Sequence, residues 1–294
     1  MIVRVTDKPL LRRRLSRAHA RGDRAATFLI DRVVDDMAER LQGIEREFRT
    51  AVAFGGQSDR LAQALLDSGR VKTVFRLEQT EAALRGAEIA GAVADEEALP
   101  IRLASIDLFV SALALQWTND LPGALIQVRR ALTPDGLFLA ALTGGETLSE
   151  LREALVAAET EIAGGASPRV TPQADVRELG ALLQRAGLRL PVADRDRLTV
   201  RYKSAFDLYF DLQRMGATNA LTQRGRRPGT RRLLVRAAEI YAERFSDPDG
   251  RVRATFEIVS LSGWAEHESQ QKPARRGSAQ AHLGEALKPP RSKT

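Results

Sequence analysis

The feature that most constrains the fold is a strand, a helix and a second strand that follow one another directly. Residues 106–113 form an apolar run of strand length, and 120–132 have the spacing of a helix. A Pro-Asp-Gly turn at 134–136 then leads into the apolar run 137–142. This order predicts a βαβ unit, whose two strands are parallel.

Further strands precede this unit. The segments 51–54, 71–77 and 90–94 are short apolar runs, and a helix is predicted over 59–68. Strands that alternate with helices predict an α/β fold with a doubly wound parallel sheet. Crossover connections of this kind are right-handed, so a ligand crevice is expected at the carboxyl ends of the strands.

The flanks of the sheet complete the predicted organisation. Residues 1–46 are expected to form an N-terminal helical segment, and 47–265 the main domain. A helical pair at about 204–250 is inserted before the last strand, 253–261, which is expected to join the edge of the sheet antiparallel. The tail 266–294 is polar and rich in Gln, Pro, Lys and Arg, which predicts disorder.

Composition excludes several kinds of site. The chain has no cysteine and only three histidines, so disulfides and thiolate chemistry are excluded and no metal site is expected. No run of eighteen or more apolar residues suggests a transmembrane helix. The oligomeric state is left open.

The net charge of +7 is concentrated in part in an arginine run at 222–236 that contains no acid. Such a face could attract nucleic acid, an acidic carrier protein or anionic lipid, or it could be a solvated helix surface. No recognised nucleic-acid motif accompanies the run, so a nucleic-acid partner is not expected.

The N-terminus is arginine-rich over residues 8–21, as a mitochondrial presequence would be. It lacks serine enrichment and continues into an amphipathic helix with Leu29, Val33 and Met37 on one face. We therefore interpret it as part of the folded protein and expect a cytoplasmic location.

Two short segments of the βαβ unit carry a resemblance to a known family. They are Ala-Leu-Gln-Trp at 114–117 and Leu-Thr-Pro-Asp-Gly at 132–136. With them the unit resembles the fourth and fifth strands of class I S-adenosylmethionine (SAM) methyltransferases. The similar branch includes the malonyl-carrier-protein and trans-aconitate methyltransferases. The resemblance implies a Rossmann-like sheet, SAM as cofactor, and a substrate lid formed by the inserted helical pair.

A longer resemblance covers about residues 8–273. The segments 10–14, 215–220, 256–259 and 263–273 are similar to bacterial relatives of the mitochondrial complex I assembly factor that hydroxylates an arginine of a complex I subunit. This similarity implies a protein or carrier-linked substrate. The implied partner is a respiratory complex I subunit or an acyl carrier protein.

The resemblance assigns candidate cofactor residues to the strand ends. Gly55 and Gly56 would allow close backbone approach, because a Cβ there would take the space of a ligand. Glu78 follows Gly56 by 22 residues and could accept hydrogen bonds from both ribose hydroxyls, or it could be an ordinary exposed acid. Asp95 lies where the acidic loop of the family, after the third strand, contacts the adenine amine. Gln116 is the candidate for a polar contact at the mouth of the crevice.

The loop after the first strand departs from the family pattern, which is an acid, an apolar residue and then Gly-x-Gly-x-Gly. Ala53 stands in place of the acid, while Gln57 and Asp59 replace the second and third glycines. SAM-dependent methyl transfer is the main hypothesis. The alternatives are arginine hydroxylase-like modification of a complex I subunit and a non-catalytic assembly module with a degenerate SAM loop. No catalytic base can be assigned from the sequence.

Overall fold

The computed structural model describes residues 4–22, 27–225 and 230–271. A seven-stranded sheet lies at its centre, with the order β3-β2-β1-β4-β5-β7-β6. The strands are β1 (Phe48–Gly55), β2 (Val71–Glu78), β3 (Gly91–Val93), β4 (Ile106–Ala112), β5 (Leu132–Thr143), β6 (Arg189–Tyr202) and β7 (Val252–Trp264).

Eight α-helices lie in the described ranges and pack around this sheet. They are α1 (Lys8–Arg21), α2 (Phe28–Gln42), α3 (Arg60–Asp67), α4 (Leu121–Ala131), α5 (Ser149–Ala163), α6 (Val176–Arg185), α7 (Ala205–Arg214) and α8 (Arg231–Phe245). Two short 3₁₀ turns, Glu81–Leu84 and Leu115–Trp117, follow β2 and β4. Separate apolar clusters fill the two faces of the sheet, so both faces are covered.

The predicted doubly wound α/β sheet is confirmed. Strands β1 to β5 are parallel, and Gly55 at the end of β1 pairs with Ala112 at the end of β4. Glu78 at the end of β2 likewise pairs with Val93 at the end of β3. The carboxyl ends therefore meet at one edge, and the strand order reverses between β1 and β4, which is where such folds bind ligands.

The last strand joins the edge of the five parallel strands antiparallel, as predicted, and β6 then extends the sheet by one more strand. β7 therefore lies between β5 and β6 and pairs antiparallel with both. Its residues are buried at almost every position, whereas β6 consists mostly of exposed and partly buried residues, with three consecutive exposed charged residues at 195–197. The strand that is apolar on both faces takes the interior, and the charged strand takes the edge.

The inserted helical pair lies between β6 and β7, as predicted. The Ser204 hydroxyl accepts from the Asp207 N–H at the start of α7, and the Thr230 hydroxyl accepts from the Leu233 N–H at the start of α8. We call α7 and α8 with their connection the lid. In the described ranges, no helix combines the length and apolar character needed to cross a bilayer.

The first residues of the tail pack on the domain. The Gln270 amide donates to the Asp135 carboxylate and to the Ala265 carbonyl, at 2.9 and 2.7 Å. From residue 272 onward, the predicted disorder falls outside the described residues. The domain boundaries near 46 and 265 stay predictions.

Candidate functional site

The predicted cofactor residues come from neighbouring strand ends. Gly55 ends β1, Glu78 ends β2, and Gln116 lies in the 3₁₀ turn after β4. Asp95 follows β3, where the Ala94 N–H donates to the Glu78 carbonyl at 2.9 Å. The sheet thus gathers these positions at the edge where a ligand crevice is expected.

The two glycines after β1 are required by packing within the protein. Gly55 has φ +76°, and a Cβ there would lie 2.7 Å from the Ala114 Cβ. Gly56 has φ +94°, and its Cβ would lie 3.1 Å from that of Leu61. These contacts fit a strand-to-helix turn that lies tightly against β4, and they account for both glycines without a ligand. Their role in cofactor binding stays a prediction.

Gln57 has a backbone conformation typical of glycine, the residue that it replaces in the family pattern. Its φ is +60°, in the left-handed region that favours glycine. The loop therefore retains the glycine-type conformation, although a side chain is now present. That side chain lines a cavity beneath the lid.

A buried arginine links the loop to β2. Arg76 is 1% exposed. Its guanidinium donates to the Asp59 carboxylate at 2.5 Å, to the Glu78 carboxylate at 2.9 Å and to the Ala83 carbonyl at 3.1 Å. The sequence analysis missed Arg76. The available signal was its position two residues before Glu78, on the same face of the strand.

Glu78 is buried, and the interpretation of it as an ordinary exposed acid is wrong. The residue is 2% exposed. Burial raises the pKa of the Glu78 carboxyl to about 7, and the nearby Arg76 guanidinium opposes that rise. A carboxylate in this position is a strong acceptor that can change its protonation state near neutral pH.

Asp95 is held by the N-terminal helix. Its carboxylate accepts from the Arg12 guanidinium at 2.6 Å and from the Glu97 N–H at 3.0 Å. The Lys8 ammonium lies against the same loop, paired with Glu96 and 3.3 Å from the Glu97 carboxylate. Asp95, Glu96 and Glu97 thus form an acidic cluster whose counter-ions are Lys8 and Arg12 of α1. The predicted contact of Asp95 with adenine stays a prediction.

Helix α1 spans the crevice from the acidic loop to the lid. The His19 Nδ1 atom lies 3.0 Å from the Thr80 hydroxyl, just beyond β2. On the lid side, the Arg14 guanidinium donates to the Asn219 carbonyl. A Cβ at Gly216 would lie 3.1 Å from the Leu15 Cα, so helix and lid are in close contact. The helix therefore covers the strand ends and ties them to the lid.

A cavity of about 300 Å³ lies beneath the lid. No carboxylate of the described ranges lines this cavity. The charged side chain of the described ranges that lines it is Arg169. The Arg169 guanidinium is already paired with Glu159 at 2.6 Å. The apolar wall of the cavity is formed by Leu15, Leu29, Ile30, Leu113, Leu148, Leu151, Leu155, Val170, Leu212, Met215, Leu234 and Phe256.

Two buried polar atoms in this wall have no hydrogen-bond partner within the described chain. The Gln116 amide donates to the Leu113 carbonyl at 2.8 Å, which leaves its oxygen Oε1 without a donor. The Tyr209 hydroxyl is the second such atom. Burial raises the pKa of Tyr209 to about 12, so the hydroxyl stays protonated and can donate. Buried polar atoms are normally satisfied, so these two mark the cavity as a place for a polar ligand group.

Trp117 lies where α1, the lid and the cavity meet. It packs against Leu11, Leu15 and Ala220, which joins α1 to the lid. The same residue also lines the cavity. Packing is therefore an observed role of the indole, and contact with a substrate stays open.

The basic run of the lid is partly neutralised. Arg224 pairs with Asp7 at 2.9 Å, and Arg236 pairs with Glu161 at 2.7 Å. Arg226 and Arg227 lie outside the described residues. The exposed residues Arg231 and Arg232 at the start of α8 form no ion pair with any described residue. Of the four described arginines of this run, two are thus paired within the protein and two are exposed.

The sequence is similar to a known family and to named enzymes. The profile of the methyltransferase domain family matches residues 52–140. The mitochondrial arginine-hydroxylase NDUFAF5 of Mus musculus is 40% identical over 266 residues, which are 89% of this chain and 77% of that protein. The malonyl-[acyl-carrier protein] O-methyltransferase of Halorhodospira halophila is 32% identical over 266 residues, 88% of each chain.

Solved structures share the fold at low sequence identity. A putative methyltransferase from Bacillus halodurans has a TM-score of 0.55 at 13% identity, over 79% of this chain and 98% of that one. The YcgJ protein of Bacillus subtilis has a TM-score of 0.53 at 16% identity, over 80% of this chain and 98% of its own. These similarities support the class I methyltransferase sheet.

Proposed function

This chain belongs to the class I SAM-dependent methyltransferases, in the group with NDUFAF5 and malonyl-[acyl-carrier protein] O-methyltransferase, and on that premise we propose its reaction. It binds SAM at the carboxyl ends of β1, β2 and β4. It transfers the methyl group to a protein or carrier-linked substrate that reaches the cavity beneath the lid. The observation that carries this proposal is the cavity itself, which is apolar and contains two unpartnered polar atoms beside the strand ends.

The residues at the strand ends fit the cofactor. SAM supplies an electrophilic methyl group when bound. Glu78 is the carboxylate that would accept from the ribose hydroxyls, and the Gln116 Oε1 atom would accept from an N–H donor. Asp95 would meet the adenine amine in addition to its bond with Arg12, since a carboxylate has acceptor sites for several donors.

The substrate end of the site disfavours a cationic group. A cation buried in the cavity would lose its hydration without a carboxylate of the described ranges to pair with it, which is unfavourable. An acyl chain or another neutral segment would be accommodated by the leucine wall. The Tyr209 hydroxyl would donate to a carbonyl or carboxyl oxygen of that segment. This chemistry supports a carrier-linked acyl substrate.

The chain's contribution to methyl transfer is mainly positioning. Holding the nucleophile in line with the methyl group supplies most of the required acceleration, so a general base is not essential. The apolar wall excludes water from the reacting groups. Tyr209 and Gln116 would fix the orientation of the substrate.

Modification of an arginine is a second candidate function. It is supported by the higher identity to NDUFAF5, a protein named as an arginine-hydroxylase. The aromatic rings of Trp117, Tyr209 and Phe256 also line the cavity, and aromatic faces attract guanidinium groups. A respiratory complex I subunit would then be the partner. A cytoplasmic location remains our proposal for this chain, while NDUFAF5 is named mitochondrial.

Calorimetric titration with SAM and S-adenosylhomocysteine tests cofactor binding first. The purified protein is then incubated with SAM and either a malonyl carrier protein or a complex I subunit, and intact masses are measured. We expect a mass gain of one methyl group on the carrier protein. A gain of one oxygen on the subunit, in a parallel incubation that supplies dioxygen and a two-electron reductant, would instead support arginine hydroxylation. Binding of a partner without any SAM affinity would support the non-catalytic assembly module.

A further inference from the structure

We propose that Arg76 is a positioning residue of the cofactor site, which holds the Glu78 carboxylate in its binding orientation and in its ionised form. This inference rests on the proposed function, because Glu78 is the residue assigned to the ribose. Arg76 itself is buried beneath the crevice and would act through Glu78. Neither the family pattern nor the sequence analysis assigns it a role.

The contacts of Arg76 connect three elements that form the crevice. Its guanidinium donates to Asp59 at the start of α3, to Glu78 at the end of β2 and to the Ala83 carbonyl in the following 3₁₀ turn. Asp59 in turn accepts from the Glu88 N–H at 3.0 Å. Planar guanidinium groups hold carboxylates with fixed geometry, so this network fixes where Glu78 points.

Arg76 also favours the ionised form of Glu78. A carboxylate buried to this extent would tend to take up a proton, and a protonated carboxyl could no longer accept from both ribose hydroxyls. The Arg76 guanidinium favours the anion, while the Asp59 carboxylate opposes it. The pKa of His19 in α1 also responds to the charge of Arg76. Burial lowers the pKa of that imidazole, which is therefore neutral near pH 7. Arg76 is thus the cation that opposes protonation of Glu78.

The same network explains one departure from the family loop. Asp59 occupies the third glycine position, and its side chain supplies the second counter-ion of a guanidinium that lies between two carboxylates. A buried arginine with a single partner would be less well satisfied. The change at position 59 and the arginine at position 76 therefore form one structural unit.

Two substitutions should move the Glu78 titration in opposite directions. Arg76→Gln removes the stabilising cation, so the carboxyl should titrate at higher pH than in the wild type. Asp59→Asn removes the opposing anion, so the carboxyl should titrate at lower pH. Arg76→Lys should lie between the wild type and Arg76→Gln. Lys72→Gln loses the same charge from an exposed position on the same strand and serves as the control.

The titration is followed by carboxyl ¹³C NMR of the full chain without ligand, and affinity for S-adenosylhomocysteine is measured by calorimetry across neutral pH. Arg76→Gln should weaken binding at neutral pH by about tenfold or more, in line with loss of a charge-assisted acceptor, and higher pH should restore part of it. Lys72→Gln should match the wild type.

Equal Glu78 midpoints in the wild type, Arg76→Gln and Asp59→Asn would overturn the inference, as would tighter ligand binding by Arg76→Gln. If Arg76→Gln does not fold, Asp59→Asn and Arg76→Lys still show whether the titration midpoint of Glu78 moves in the expected direction. A wild type that binds no S-adenosylhomocysteine would refute the proposed function and with it the role of Glu78 as a ribose ligand. In that case the NMR midpoints separately decide whether Arg76 controls the ionisation of Glu78.

Discussion

The two halves of the crevice are built on different chemistry. The charged half, at the ends of β1, β2 and β3, contains Arg76 between Asp59 and Glu78, and an acidic loop paired with Lys8 and Arg12. The apolar half, beneath the lid, is a leucine-lined cavity in which polar atoms of Gln116 and Tyr209 lack partners. Helix α1 contacts both halves.

This difference indicates where selectivity arises. In the charged half each carboxylate has a fixed partner, so loss of one group leaves another buried charge unsatisfied. In the apolar half the wall is shaped by interchangeable side chains, and swaps of similar volume usually have small effects. We therefore expect the charged half to tolerate few substitutions and the apolar half to accept substitutions of similar volume.

The tight turn that supports the charged half should be the most sensitive position. Gly55→Ala would place a Cβ 2.7 Å from the Ala114 Cβ at a φ of +76°. Overpacking and a left-handed backbone together should lower the free energy of unfolding by about 3 kcal/mol in urea denaturation. Gly69→Ala is the matched control, since Gly69 has φ +67° and open space around it. Its cost should be limited to the backbone, about 1 kcal/mol; equal losses would show that the contact with β4 is unimportant.

Glu78→Ala should give the next largest effect, on binding of S-adenosylhomocysteine. Loss of the charge-assisted hydrogen bonds should weaken affinity by roughly 1.5–3 kcal/mol, measured by calorimetry. Glu81→Ala removes an exposed acid three residues further along and should leave affinity unchanged. If a folded Glu78→Ala variant binds as tightly as the wild type, Glu78 does not belong to the cofactor site.

Tyr209→Phe should affect only the apolar half. The substitution removes a buried hydroxyl that has no partner in the described chain, so stability should be unchanged or slightly higher. The kcat/KM for the transferred substrate should fall by an amount equivalent to about 1 kcal/mol, because one hydrogen bond is lost. Affinity for S-adenosylhomocysteine should stay the same. A loss of cofactor affinity would show that the two halves are not separate.

Charge reversal on the lid surface should have the smallest effect on the folded protein. Arg231 and Arg232 are exposed, so changing both to Glu should alter unfolding free energy by less than about 0.5 kcal/mol. If they recruit an acidic carrier, association measured by surface plasmon resonance should slow and lose its salt dependence. Equal association rates for variant and wild type would identify this face as a solvated surface.

The parts of the molecule that the sequence predicted are those with local signals. The βαβ unit follows from apolar runs separated by a helical pattern and a Pro-Asp-Gly turn, and Glu78 was placed at the end of β2 by its spacing from Gly56. The helical pair inserted before the last strand was likewise visible in the residue pattern. Such features need only neighbouring residues.

Features that depend on distant residues could not be predicted. Arg76 meets Asp59 across 17 residues, and Arg12 meets Asp95 across 83, so neither pair has a sequence signature. The interior position of β7 is decided by which of the last two strands is apolar on both faces. The Tyr209 hydroxyl lacks a hydrogen-bond partner because of how the lid packs. Residue propensities and hydrophobic periodicity do not predict that packing.

Photocrosslinking tests the division of the crevice most directly. An azidoadenosyl analogue of S-adenosylhomocysteine is irradiated with the protein, and labelled peptides are identified by mass spectrometry. We expect label in the charged half, on residues 78–97 and on α1, and we expect excess unmodified S-adenosylhomocysteine to remove it. Label confined to α5 and α7, beneath the lid, would contradict the assignment of the nucleoside to the strand ends.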